Sequence, residues 1–87
     1  MTIVIVTPER ALYSGNVDYA TIPAWLGEMG VLPGHIPYLA LLRKGIVKVS
    51  AGMNTLFFSI NSGYAEIDRN DIKILADEAT MITLPKK

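Results

Sequence analysis

The stretch Leu56-Phe57-Phe58-Ser59-Ile60-Asn61-Ser62-Gly63-Tyr64-Ala65-Glu66-Ile67-Asp68-Arg69-Asn70-Asp71-Ile72-Lys73-Ile74 decides the fold. Leu56, Phe58 and Ile60 alternate with Phe57, Ser59 and Asn61, and Ile72 and Ile74 flank Lys73. Successive side chains of a strand point to opposite faces, so an apolar period of two in β-branched and aromatic residues reads as strands with one buried face. Ser62-Gly63 separates two such runs, and the polar Asp68-Arg69-Asn70-Asp71 is a hairpin turn between two more. Phe57 lies out of phase with its neighbours. It faces away from the core, toward solvent or a partner, or else its strand is buried on both faces.

The same pattern continues on either side. Ile3 to Val6 is a compact β-branched run, and Val17 to Ile22 mixes β-branched and aromatic residues. Val47 and Val49 alternate with Lys48 and Ser50, and Met81 to Leu84 would close a last strand before Pro85. Ser14-Gly15-Asn16, Lys44-Gly45 and Ala51-Gly52-Met53-Asn54 punctuate the runs. Strand starts recur roughly every 8–12 residues, the spacing of a sandwich or barrel. The expected core includes Ile3 or Val4, Val47, Val49, Leu56, Phe58, Ile60, Ile72 and Ile74, with no helix longer than two turns. Tyr38 to Leu42 suits either one helical turn or a strand buried on both faces.

Composition narrows the function classes. A chain of 87 residues makes one domain, 1–87, without internal repeat or linker. Its formal net charge is zero, whereas phosphate binding calls for a basic excess, so nucleic acid is not an expected partner. The longest apolar run, Tyr38 to Leu42, is far short of the roughly 20 residues that span a bilayer. Met1-Thr2-Ile3-Val4 lacks the basic start of a signal peptide. The chain has no cysteine and one histidine, His35, so neither a nucleophile–base pair nor a metal site can be assembled with any specificity. No phosphate-loop pattern accompanies Gly30 to Gly34, and Asp68 with Asp71 is too sparse for a calcium loop. No cofactor is expected.

Residues 22–45 are unlike the rest. Three prolines, Pro23, Pro33 and Pro37, are interspersed with three glycines, Gly27, Gly30 and Gly34, which together prescribe a winding, restricted backbone. Pro33-Gly34 is the central pair of a type II turn. A long irregular stretch in a compact domain is commonly functional.

Here a resemblance becomes specific. Gly27-Glu28-Met29-Gly30-Val31-Leu32-Pro33-Gly34-His35-Ile36-Pro37 resembles the G-E-x-G-V-L-P-G-H-x-P signature of the epsilon subunits of F-type ATP synthases. Val6-Thr7-Pro8-Glu9 and Leu12-Tyr13-Ser14-Gly15 resemble the family's V-T-P-E and L-Y/F-S-G. Ser62 to Ile67 looks like S-G-G-F-x-E-V with one glycine missing, and Ile74-Leu75-Ala76-Asp77-Glu78-Ala79 like V-L-A-D-E-A. The motifs keep the family's order over residues 3–79. Ala24-Trp25-Leu26 departs from it, standing where a glycine-containing turn is usual.

The resemblance implies an all-β fold, a flattened β-sandwich of about ten short strands. It further implies a non-catalytic subunit at the foot of a rotating central stalk, bound to the gamma subunit and resting on the c-subunit ring. The setting would be peripheral, on the cytoplasmic face of an energy-transducing membrane such as a bacterial inner membrane. The family's C-terminal helical hairpin, which in some members binds ATP, has no counterpart in the residues after Ala79, so direct ATP binding is not expected. Partner-contact residues carried over or inferred beside the signature are Trp25, Glu28, Met29, Pro33, Gly34 and His35. Glu28 takes the position of a charged contact to the c ring. His35 acts as a pH-sensitive group or, more simply, donates a ring hydrogen to a carbonyl and holds the loop. Trp25, Leu26, Met29, Val31 and Leu32 form an apolar cluster, divided between core and partner surface. A free-standing β-sandwich that binds a small ligand is the alternative class.

Overall fold

A computed structural model describes residues 1–82 of the chain. Ten strands account for most of them: β1 (Thr2–Val6), β2 (Ala11–Asn16), β3 (Tyr19–Ala24), β4 (Gly27–Val31), β5 (Tyr38–Leu42), β6 (Gly45–Ala51), β7 (Asn54–Ile60), β8 (Gly63–Ile67), β9 (Asp71–Ala76) and β10 (Ala79–Ile82). No helix occurs among the described residues. The expected continuation of the last strand through Thr83 and Leu84 lies outside them.

The strands pair in the order β10-β7-β6-β3-β5-β8-β9-β1-β2, with β4 on the other edge of β3. All of these pairs are antiparallel except β1 with β9. The path folds over itself into two layers, one of β10, β7, β6, β3 and β4, the other of β5, β8, β9, β1 and β2. β3 joins them by changing partner: Tyr19 to Thr21 pair with β6, and Ala24 pairs with Leu42 of β5. Pro23 stands at the changeover. A proline inside a sheet has no N–H for a ladder, and here it falls where one ladder ends and the next begins. Its carbonyl still accepts the Arg43 N–H at 2.9 Å. A Cβ on Gly45 would lie 2.7 Å from the Cβ of Pro23, so the punctuating glycine is what lets the corner close.

The alternation read from the sequence is the alternation of burial. Ile3, Ile5, Val47, Val49, Phe58, Ile60, Ile72 and Ile74 are all buried in one cluster with Ile22, Val31 and Leu42. Fully burying such a side chain is worth about 1.5–3 kcal/mol. The rings of Tyr13 on β2 and Phe58 on β7 meet across the core with centroids 5.3 Å apart, tying the layers together. Leu56 is only partly buried against this cluster. It lies near the turn of the β6–β7 hairpin, opposite Val49. Phe57 is half-buried on the face opposite Phe58, between Lys48 and Ile82. Of the two readings of that strand, the outward one holds.

Two of the turns follow the polar punctuation, whereas Ser14-Gly15-Asn16 does not break a run: it is the end of β2, paired with Thr2 to Val4 of β1. Asp68 N–H donates to the Asp71 carbonyl at 2.8 Å, closing the β8–β9 hairpin, and the Asp68 carboxylate accepts the Arg69 N–H at 2.8 Å. The β6–β7 turn takes Gly52 to a φ of +63°, and its N–H donates 2.8 Å to the Asp18 carboxylate.

Candidate partner-binding site

The signature does not form one long loop. Its first half is a hairpin: Ala24 pairs with Gly27, leaving Trp25-Leu26 as a two-residue tip. Tight hairpins need positive φ near the turn. Neither Trp25 nor Leu26 supplies it; Gly27 does, at +134°. The tip is left with Trp25 60% and Leu26 98% exposed. The guanidinium of Arg43 lies 5.5 Å from the Trp25 ring centroid, a cation–π contact worth about 0.5–1 kcal/mol at an exposed site.

Glu28 is an exposed residue of β4, opposite Pro23. Met29, one position on, pairs with Ile22 and packs against the core, so its side chain is turned away from the surface that Glu28 presents. Val31 is buried outright. The cluster expected around this segment therefore splits: Met29 and Val31 face inward, while Trp25, Leu26 and Leu32 are exposed.

The second half is the short connection from Leu32 to Pro37. Gly34 adopts φ +85°, as the third position of a type II turn after Pro33 demands. Its N–H donates 2.8 Å to the Arg69 carbonyl, fastening the connection to the β8–β9 turn. His35 Nδ1 lies 2.7 Å from the Ile36 carbonyl oxygen. A carbonyl only accepts, so Nδ1 carries the hydrogen, and the ring holds the local backbone. Pro33-Gly34-His35 and Trp25 thus sit at opposite ends of β4, roughly 13 Å of strand apart. Of the six residues expected to meet a partner, Met29 packs inward and the other five fall into two separate groups, Trp25 with Glu28 and Pro33-Gly34-His35.

A larger surface lies elsewhere. Tyr38 to Leu42 is strand β5, neither a helical turn nor a strand covered on both sides. Ala40 and Leu42 are buried, but Leu39 and Leu41 are 60% and 63% exposed on the outer face. Leu41 pairs with Tyr64 of β8, Tyr64 with Leu75 of β9, and Leu75 with Val6 of β1. On the other side of Leu41, its carbonyl accepts the Trp25 N–H at 2.9 Å. An apolar row, Trp25–Leu41–Tyr64–Leu75–Val6, therefore crosses four strand spacings, roughly 19 Å of outer surface. Next to it Trp25, Leu26, Tyr38, Leu39 and Leu41 line a shallow depression of about 320 Å³. Only Trp25 in this row was expected from the sequence. Periodicity tells which residues share a face of one strand; strand order and register decide which faces adjoin.

The fold and this surface define a class first: a small all-β module, ten strands around one core, with an apolar outer face on one layer. The chain belongs to the family described as the ATP synthase delta/epsilon chain, beta-sandwich domain, which matches residues 1–82. It is 42% identical over 78 residues to an ATP synthase epsilon chain of Bradyrhizobium sp., covering 90% of this chain and 58% of that one. With the epsilon chain of Nitratidesulfovibrio vulgaris it shares 41% over 75 residues, 86% of this chain and 56% of that one. The chain thus spans little more than half the length of these curated relatives. The epsilon chain of Caulobacter vibrioides, also 41% identical over 75 residues, is matched over 86% of this chain and 87% of its own length. Among solved structures, a chain of the Euglena gracilis mitochondrial ATP synthase OSCP/F1/c-ring assembly superimposes with a TM-score of 0.84 at 28% identity, over 91% of this chain and 51% of that one. A chain of the Tetrahymena thermophila central stalk and c-ring assembly, at 14% identity and a TM-score of 0.77 over 92% of this chain and 65% of that one, shares the fold.

Proposed function

We propose that the chain is a central-stalk rotor subunit of an F-type ATP synthase, linking the gamma subunit to the c ring and so coupling ion translocation to ATP synthesis. The observation that carries this reading is the apolar row on the outer face of β5, β8, β9 and β1. Single exposed apolar side chains are ordinary, but a contiguous patch on a soluble surface marks a binding face. Its aromatic and aliphatic composition is that of an interface core. Membership of the delta/epsilon family supports gamma and the c ring as the partners. Residues 1–87 act in this reading as one epsilon-type domain, without catalytic groups, metal or cofactor.

Torque passes through such a subunit only if it holds both neighbours at once. The apolar row and the hairpin tip provide two kinds of surface, one broad and greasy, the other a narrow edge bearing Glu28. Glu28, Trp25 and the Pro33-Gly34-His35 turn are the proposed contacts beyond the row, and the carboxylate of Glu28 suits a basic loop of the c ring. The setting is peripheral, on the cytoplasmic face of an energy-transducing membrane, as in a bacterial inner membrane. In this reading contact with the membrane runs through the complex; no helix among the described residues is long and apolar enough to cross one.

Affinity capture from a detergent extract tests the reading: gamma and c subunits are expected to be recovered together with the chain, and recovery of neither overturns it. The same reading expects no heat of ATP binding when residues 1–87 are titrated in a calorimeter; micromolar binding would favour the ligand-binding alternative.

A further inference from the structure

The chain has no cysteine, so its sulfur is confined to four methionines, Met1, Met29, Met53 and Met81. The fold treats them unequally. Met1 and Met29 are partly buried and pack against the core. Met81 lies on the edge strand β10 opposite Phe58 and is half-exposed. Met53 is fully exposed. It stands with Gly52 at the tip of the β6–β7 hairpin, between the paired Ala51 and Asn54.

The tip is held without help from the Met53 side chain. Gly52 takes a positive φ at the first central position, as a two-residue hairpin of type II′ requires. The Gly52 N–H donates 2.8 Å to the Asp18 carboxylate, and the Asp18 N–H donates 2.7 Å to the Ser50 carbonyl, so the β2–β3 connection clamps the turn by its backbone. A thioether in such a place is open to any oxidant that reaches the surface and supports no packing. We propose that Met53 is a reversible oxidation site, attacked first by peroxides and repaired by methionine sulfoxide reductases. The sulfur lone pair takes one oxygen from hydrogen peroxide, the O–O bond breaks, and the second oxygen leaves as water. The thioether is oxidised by two electrons and the peroxide reduced by two. In repair a dithiol gives two electrons and becomes a disulfide, and the oxygen leaves as water. The sulfoxide is polar, and at the tip water solvates it. At Met29, beside Ile22, the same change would put a polar group against the core. The site lies outside the apolar row and the Glu28 edge, so it does not depend on the rotor reading.

In the test, the whole chain is treated with hydrogen peroxide at neutral pH. Sulfoxide is quantified at each methionine by peptide mass mapping, with the urea-unfolded chain as the reference for equal access. Met53 is expected to react first in the folded chain, at nearly its unfolded rate. Met29 is expected to react at least about tenfold more slowly, because its sulfur is reached only through local opening, with Met81 between the two. The chain oxidised at Met53 alone is expected to keep the urea midpoint of the untreated chain. Sulfoxide reductases specific for the two epimers, supplied with a dithiol, are expected to restore the thioether. Met53→Leu is expected to remove the fast phase and leave the other three rates unchanged. The proposal is overturned if Met29 or Met81 reacts as fast as Met53, or if the fast phase survives in Met53→Leu. It is equally overturned if oxidation at Met53 lowers the urea midpoint, or if the reductases leave that sulfoxide in place.

Discussion

The two outer faces of the sandwich are built by the same kind of strand and end up chemically different. On the β5-β8-β9-β1 side, Leu39, Leu41, Tyr64, Leu75 and Val6 look outward, joined by the pair Glu66 and Lys73. On the β6-β7-β10 side the outward positions are mainly polar, Lys48, Ser50, Thr55, Ser59 and Thr80, with Ile46, Phe57 and Ile82 as partly covered apolar residues among them. Both layers place their inward residues in one core, so stability does not distinguish them. What differs is the water-facing half of the alternation. A polar outer face is what a sheet adopts when water covers it. An apolar one persists where another chain does. Under the proposed rotor reading, partner binding falls to the first layer and solvent to the second.

Changes in the shared core should erase the comparison altogether. Phe58→Ala removes the largest fully buried side chain and its contact with Tyr13. It is expected to destabilise the domain by about 3–5 kcal/mol, read from urea unfolding, and both faces should be lost together. Changes on the faces should separate them. Leu41→Lys is expected to leave the unfolding midpoint nearly unchanged while weakening gamma binding by about 2 kcal/mol or more. Thr80→Lys, on the opposite layer, is expected to alter neither. Equal losses for the two lysines would abolish the distinction between the faces.

Smaller effects sharpen it. Gly63→Ala combines positive φ with a clash against the Leu75 carbonyl of β9, and should lower stability by roughly 1–3 kcal/mol. At Gly52, φ is +63° but the space around a Cβ is open, so Gly52→Ala should cost less. A reversal of that order in thermal unfolding would show that the β8–β9 contact is looser than described. The smallest effect belongs to the hairpin edge. Glu28→Lys with His35→Ala should leave the domain folded. An exposed ion pair is worth about 0.2–1 kcal/mol, so proton pumping by a reconstituted complex should fall through poorer registry more than through lost affinity. Unchanged pumping would remove that edge from the contact surface.

The legibility of the molecule divides along physical lines. Strands around Phe58, Val47 and Ile72 could be read directly, because burial on one face imposes a period of two on a single segment. The Pro33-Gly34 turn was legible too, since proline fixes φ and glycine supplies the positive value that follows. Tyr38 to Leu42 was not. Five apolar residues in a row carry no period, and only pairing with β8 turned Ala40 and Leu42 inward and left Leu39 and Leu41 outside. Nor could the sequence show that Met29 turns inward beside Ile22 while Glu28 stays exposed, since both belong to one conspicuous motif.

By itself the sequence determined an all-β chain, most of its core, its sharp turns and its family, because each is written in neighbouring residues or in motifs at fixed spacing. The tertiary structure alone decided the proposed partner surface. Trp25, Leu41, Tyr64, Leu75 and Val6 come from distant parts of the chain, and nothing in their local sequence joins them. They become one row through strand order and register, which are settled by long-range hydrogen bonding and by the common core.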